Sequence, residues 1–194
     1  RIGTFQHVLE GYKIADQMAA HGVMGSAFSD WWAYKFEVFD AIPYNGALMH
    51  KAGVVVSFNS DSAELARRLN LEAAKAVKYG DVPPAEALKF VTLNAARQLG
   101  IDRCVGSLEV GKDADLVVWS GAPMSTLSRA LQTWIAGRRY FDSQEDATAA
   151  ERIDSMRAEL VQKILASGEA MAGPGDEEPE EKTLWPRADL FCHG

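Results

Sequence analysis

Asn94-Ala-Ala-Arg-Gln-Leu-Gly100 closes one kind of structure, and Gly106-Ser-Leu-Glu-Val-Gly-Lys-Asp-Ala-Asp-Leu-Val-Val-Trp119 opens another. Before the first run, Pro83-Pro84 opens a segment in which Leu88, Val91, Ala95 and Leu99 recur at helical spacing, with Gly100 as a stop signal. The spacing predicts one helix. The second run predicts a short strand over Gly106 to Val110, a turn at Gly111-Lys112-Asp113 and an apolar strand ending at Trp119. Lys112 and Asp113 are chemical residue types, but a tight turn between strands accounts for them. Leu131 to Ile135 and Arg139 to Phe141, separated around Gly137, predict a hairpin added to the same sheet.

Upstream, strands and helices alternate. Gly3 to Val8 predicts a strand, and Tyr12, Ala15, Met18 and Ala19 mark a helix that Gly22 stops. Val23 to Phe28 predicts the next strand and Ile42 to Lys51 the next helix. Gly53-Val-Val-Val-Ser-Phe-Asn59 is apolar enough for a parallel strand buried on both faces. After Asp61, Leu65, Leu69, Ala73 and Val77 share one face of a helix that Gly80 is expected to end. Three successive βα units are therefore expected. Downstream, Ile153, Met156, Leu160 and Ile164 mark a last helix from about Ala147 to Ala166. The Gly-Pro-Gly and Glu-rich stretch from Gly173 to Lys182 reads as a solvated linker, and Trp185, Leu190 and Phe191 are expected to dock back onto the body.

The chain has 194 residues, 47% hydrophobic and 24% charged, with a formal net charge of -7. That composition supports a sizeable core, and the acidic balance, concentrated in Asp176 to Glu181, argues against nucleic acid as a partner. No apolar run reaches the roughly 18 residues of a membrane span. Cys104 and Cys192 form no CxxC pair, so neither a disulfide framework nor a cysteine zinc cluster is indicated. The sequence opens on Arg1 rather than Met, which raises the expectation of removed upstream sequence. The compartment is left open between bacterial cytoplasm and periplasm.

Two candidate metal-site residues, His7 and Asp61, stand at the ends of expected strands, where α/β barrels build their active sites. Each has an ordinary alternative. A single histidine serves a surface or structural role as readily as a ligand role. Asp61 in Asp61-Ser-Ala-Glu64 fits a helix N-cap with Glu64 closing a capping box. Ser29-Asp-Trp-Trp-Ala-Tyr-Lys35 follows the second strand, and Trp31, Trp32, Tyr34 and Lys35 suit a substrate pocket. Burial as core aromatics explains the tryptophans equally well. His21, His50 and His193 lack a supporting pattern.

Taken in order, the two runs at 94–119 resemble the signature that closes amidohydrolase-superfamily enzymes, most closely the imidazolonepropionase-related group. Val54-Val-Val-Ser-Phe-Asn-Ser-Asp61 then resembles the eighth barrel strand with its terminal aspartate. Thr4-Phe-Gln-His-Val-Leu-Glu resembles the sixth-strand histidine segment. The resemblance runs from about Arg1 to Asp142. It implies an α/β fold: the last three βα units of a (β/α)8 TIM barrel over 1–100 and a β-sandwich segment over 101–142, to which the residues themselves add a terminal helix over 143–172 and an acidic linker and tail over 173–194.

The resemblance also implies a divalent metal, expected to be zinc, in one or two copies. Asp61 would bind it and shuttle the proton of the attacking water. His7 would ligate a second metal or donate to the substrate carbonyl. The His-x-His pair of the first strand, the bridging residue of the fourth and the histidine of the fifth would lie upstream, so the site is expected to be incomplete here. The implied substrate is a small molecule with a cyclic amide or peptide-like bond. Two alternatives stay open: a non-catalytic fragment completed by its missing N-terminal half or a second copy, and a metal-dependent deaminase.

Overall fold

The computed structural model describes residues 3–32 and 35–168. Strands β1 (Thr4–Phe5), β2 (Met24–Ala27) and β3 (Val56–Phe58) form a parallel sheet in chain order. Thr4 lies beside Met24, and Gly25 beside Val56. Parallel neighbours cannot be joined by a tight turn, so a helix crosses between each pair. These are α1 (Ala15–His21), after a 3-10 turn at Gly11–Ile14, and α2 (Asn45–Lys51), after a 3-10 turn at Phe36–Val38. The strand expected over Gly3 to Val8 is cut short because His7 adopts a left-handed φ of 55°. Every residue of β3 is buried, as a strand covered on both faces requires.

Both long helices expected downstream are broken in two. The first is α3 (Ala63–Ala66) and α4 (Leu69–Gly80), and the second is α5 (Pro84–Lys89) and α6 (Leu93–Leu99). The buried residues of α4 are Glu72, Ala73, Ala76 and Gly80; of the expected stripe Ala73 is buried and Val77 packs against the core, while Leu65 and Leu69 are half-buried. The helix ends at Gly80 as expected, but the left-handed cap is the next residue, Asp81, at φ 53°. Gly80 itself serves a close approach: a Cβ there would lie 2.0 Å from the Ala47 Cβ of α2. Gly80→Ala is expected to push the two helices apart at a cost of about 1–3 kcal/mol, read as a lower urea midpoint. Leu99, expected on the buried face, is 73% exposed, while Phe90 in the break is fully buried and meets Phe58 edge-to-face with ring centroids 5.2 Å apart.

The polar members of the Asn94–Gly100 run tie α6 to the sheet. Asn94 Nδ2 donates to the Val56 carbonyl at 2.8 Å. One turn on, Gln98 Nε2 donates to the Gly25 and Val55 carbonyls at 3.0 and 3.3 Å, and its Oε1 accepts from the Ser57 hydroxyl at 2.7 Å. Asn94 is 5% exposed, so Asn94→Ala leaves a buried carbonyl without its donor. A loss of about 1–3 kcal/mol in chemical denaturation is expected.

Strands β4 (Leu116–Trp119), β5 (Ala130–Ile135) and β6 (Arg138–Asp142) form an antiparallel sheet in that order. Ala136 and Gly137 have φ of 50° and 75°, which matches the hairpin turn that follows strand twist. Asp115 holds that turn by accepting from the Ala136 N–H at 2.7 Å. The strand expected at Gly106 to Val110 is absent. Those residues form irregular structure, in which the Lys112 ammonium donates to Ser107 and Glu109. Lys112 is therefore a turn brace, in line with the structural reading of that residue.

Helix α7 (Ser143–Ser167) begins on Asp142, whose carboxylate accepts from the Gln144 and Glu145 N–H groups at 3.0 and 3.4 Å. Hydrogen bonds from Gln132 and from Gln144 N–H hold the Asp142 carboxyl below its usual range. Ile153, Met156, Leu160 and Ile164 all lie on the exposed surface of this helix. One compact unit covers Arg1–Thr148, and a second begins at Ala149. The expected linker and docking tail, with Trp185, Leu190, Phe191 and His193, fall outside the described residues. Among the described residues, no helix is long and apolar enough to cross a membrane.

Candidate active site

Three loops leave the carboxyl ends of β1, β2 and β3, and each carries candidates. His7 follows β1, the Ser29–Trp31 segment follows β2 and Asp61 follows β3. His7 Nε2 and Asp61 Oδ2 are 3.1 Å apart, and each side chain is 45% exposed. The residues are 54 positions apart in sequence, so this meeting is a product of the parallel sheet.

Both residues have positive φ, 55° at His7 and 45° at Asp61. Neither is glycine, and such conformations cost on the order of 1–3 kcal/mol each unless neighbouring bonds fix them. At His7 those bonds are evident on the next residue. Val8 N–H donates to the Ser26 carbonyl at 2.9 Å, and Asn45 Nδ2 donates to the Val8 carbonyl at 2.7 Å. Asn45 is buried in α2, and its Oδ1 accepts from Tyr12 N–H at 2.9 Å. Beside Asp61, Asn59 N–H donates to the Ala27 carbonyl and Asn59 Nδ2 to the Ser26 hydroxyl, both at 2.9 Å.

The capping role weighed for Asp61 is filled by its neighbour. Ser62 is the N-cap of α3, its hydroxyl accepting from Leu65 N–H at 3.4 Å. Asp61 therefore is not that helix cap, and its carboxylate faces His7.

An aromatic wall adjoins the pair. The Phe28 ring lies 5.2 Å from the His7 ring, and Trp31 stacks on Phe28 at 3.6 Å with planes 9° apart. Phe28 was not visible as a site residue in the sequence, where it reads as the last apolar residue of a strand. Trp32 is 63% exposed, and Lys35 pairs with Glu37 at 2.9 Å. Tyr34 lies outside the described residues. His50 packs its ring edge toward Phe90 at 5.3 Å, and His21 sits in the last turn of α1. Neither joins the pair.

Below the wall is a buried charged cluster that the sequence also concealed. Glu72 of α4 is 4% exposed. It accepts a hydrogen bond from the Ser29 hydroxyl and pairs with Lys75 at 2.7 Å, and Lys75 reaches on to Asp30 at 2.9 Å. Burial works to lower the Lys75 pKa, but its bonds to Glu72 and Asp30 outweigh that and hold it above the ordinary lysine value.

The donor chemistry at the mouth suits a divalent metal in part. Two ligands at about 2.0–2.2 Å in a tetrahedral shell stand roughly 3.3 Å apart, close to the separation of His7 and Asp61. A catalytic zinc takes about three protein ligands. Among the described residues, no group of three or more His, Cys, Asp or Glu side chains could hold a metal. The described chain thus supplies two donors, one edge of such a shell.

The amidohydrolase family model matches residues 45–159. The chain is 36% identical over 116 residues to the amidohydrolase tasK of Hapsidospora irregularis, covering 59% of this chain and 12% of that protein. It is 33% identical over 119 residues to imidazolonepropionase from Thermoplasma volcanium, covering 60% of this chain and 29% of that enzyme. Among solved structures, an amidohydrolase from Thermotoga maritima MSB8 superposes with a TM-score of 0.67 at 32% identity, over 72% of this chain and 37% of that one. An adenosine deaminase from Xanthomonas campestris with bound zinc shares the fold, with a TM-score of 0.51 at 19% identity, over 80% of this chain and 42% of that one. The chain spans less than half the length of each of these relatives. With more than half of its residues matched by one family model, the chain belongs to the amidohydrolase family, on its imidazolonepropionase-related side.

Proposed function

We propose that this chain is the C-terminal part of a metal-dependent amidohydrolase that hydrolyses a C–N bond in a cyclic amide or peptide-like small molecule. In this reading the parallel sheet is the last three strands of a (β/α)8 barrel, and β4 to β6 are a segment of its β-sandwich. The observation that carries it is the His7–Asp61 pair, 3.1 Å apart at two strand ends of one parallel sheet.

Asp61 would hold a divalent metal, with zinc as the expected ion. His7 would ligate a second ion or donate its ring N–H to the substrate carbonyl oxygen. The remaining ligands would come from upstream strands, and the metal, when bound, would lower the pKa of a water to about 7. Asp61 takes a proton as the water oxygen bonds to the carbonyl carbon, and returns it to the nitrogen as the C–N bond breaks. Trp31, Trp32 and Lys35 line the substrate pocket after β2, with Phe28 stacked on Trp31.

The test joins this chain to an upstream amidohydrolase segment carrying the His-x-His strand and assays a panel of cyclic amides and dipeptides. Hydrolysis is expected with the native sequence, and Asp61→Asn should lower kcat by about 10²–10⁴. An unchanged rate in Asp61→Asn would overturn the assignment.

A second reading is favoured by the apolar surface. Val110 is fully exposed, Leu127 is 90% exposed and Leu108 76%, and no residue of α7 is buried. Surfaces of this kind mark association. In this reading the chain is a non-catalytic piece completed by another chain. Mass in solution separates the two: a stable heterocomplex without turnover supports the second.

A further inference from the structure

We propose that Ser29, Asp30, Glu72 and Lys75 form a positioning lock that fixes the loop after β2 and so keeps Trp31 stacked on Phe28 beside His7. The inference deepens the pocket reading of Trp31 and rests on it.

The argument starts from what it costs to bury Glu72. A carboxylate this buried is tolerated only when charge and hydrogen bonds compensate it. Glu72 Oε2 receives both the Ser29 hydroxyl and the Lys75 ammonium. The Ser29 hydroxyl has one proton, and of its two carboxylate neighbours Glu72 is much the closer, with Asp30 Oδ1 at 3.3 Å. Lys75 has three donors, and it uses them to join Glu72 to Asp30. Two consecutive loop residues are therefore bonded to one turn of α4. Such a grip on adjacent positions fixes both the place and the direction of the chain.

The loop's next residue is Trp31, and the residue before Ser29 is Phe28, 5% exposed directly after β2. With Phe28 held by the core and Ser29 and Asp30 held by α4, the rings at 28 and 31 meet nearly parallel. The helix that supplies the grip follows β3 and Asp61 in the chain, so the lock ties the Trp31 side of the site to the Asp61 side. A surface cluster would not need a buried carboxylate. A structural ion pair would not need to seize two successive residues of a loop.

The test is fluorine NMR on the full chain labelled with 5-fluorotryptophan. The Trp31 resonance is assigned with Trp31→Phe, and Trp119 and Trp134, on β4 and β5, serve as internal controls. A ring stacked on Phe28 is displaced upfield of a solvated indole. In Ser29→Ala and in Glu72→Gln, the Trp31 resonance should lose that displacement while the two controls stay in place. Ser29→Thr, which restores the hydroxyl, should recover the native position. An unmoved Trp31 resonance in both variants would overturn the proposal. Movement of all the resonances together would overturn it as well, since the cluster would then hold the fold rather than the loop. The readout needs no turnover, so loss of the lock and loss of the hydrolase reading are separate results.

Discussion

Lys75→Met is expected to destabilise the chain by about 2 kcal/mol in urea denaturation, more than a typical surface substitution. The methionine replaces the stem but not the charge. Glu72, 4% exposed, then keeps the Ser29 hydroxyl but no cation for its full negative charge. Breaking a fully buried pair costs about 3–5 kcal/mol, and the smaller figure here reflects the Lys75 side chain, which keeps 26% of its surface in solvent. The variant should also change the alkaline limb. Lys75 holds its proton more tightly folded than unfolded, so its contribution is complete below the ordinary value of 10.5 and is lost as pH rises through the raised one. The native chain should therefore lose stability over that range, and Lys75→Met should lose less. Equal slopes would show that the ammonium is not coupled to folding.

The alternation of strands and helices was legible because each apolar run has its own period and its own stop. The Ala136-Gly137 hairpin and the Gly100 stop came from turn chemistry in the same way. Three features were not legible, for separate reasons. His7 shortens β1 by adopting a left-handed conformation, and the bonds that impose it come from Ser26 and from Asn45, far along the chain. The helices after Asp61 and Pro83 break where periodicity alone continues: the second at Phe90, which turns into the core, and the first at 67–68, ahead of the α4 face that carries Glu72. Ser107 to Val110 has the composition of a strand but is bound locally by Lys112.

The candidate site was legible in its ends and hidden in its supports. His7 and Asp61 were candidates from strand-end position and motif order, but their contact depends on the sheet. The local pattern Asp61-Ser-Ala-Glu64 offered Asp61 as a cap, and the neighbouring serine took the role instead. Glu72 and Lys75, three apart on a helix, look in sequence like any solvated pair. Only the packing of α4 against the loop after β2 makes them a buried cluster.

The second large effect concerns metal. A pair of donors binds a divalent ion far more weakly than a closed site does, but removal of either leaves one donor and no chelate. His7→Ala and Asp61→Ala should therefore each abolish what binding the chain has, whereas His21→Ala and His50→Ala, which alter histidines outside the pair, should not. Neither site substitution touches the core, so thermal unfolding of the metal-free variants should stay close to native.

Zinc titration of the purified chain, with bound metal counted by elemental analysis and repeated on Asp61→Ala and His7→Ala, tests the central claim most directly. The account predicts weak binding of about one ion per chain that disappears in both variants. Equal zinc content in the native chain and in both variants would place the metal elsewhere and contradict the assignment of His7 and Asp61.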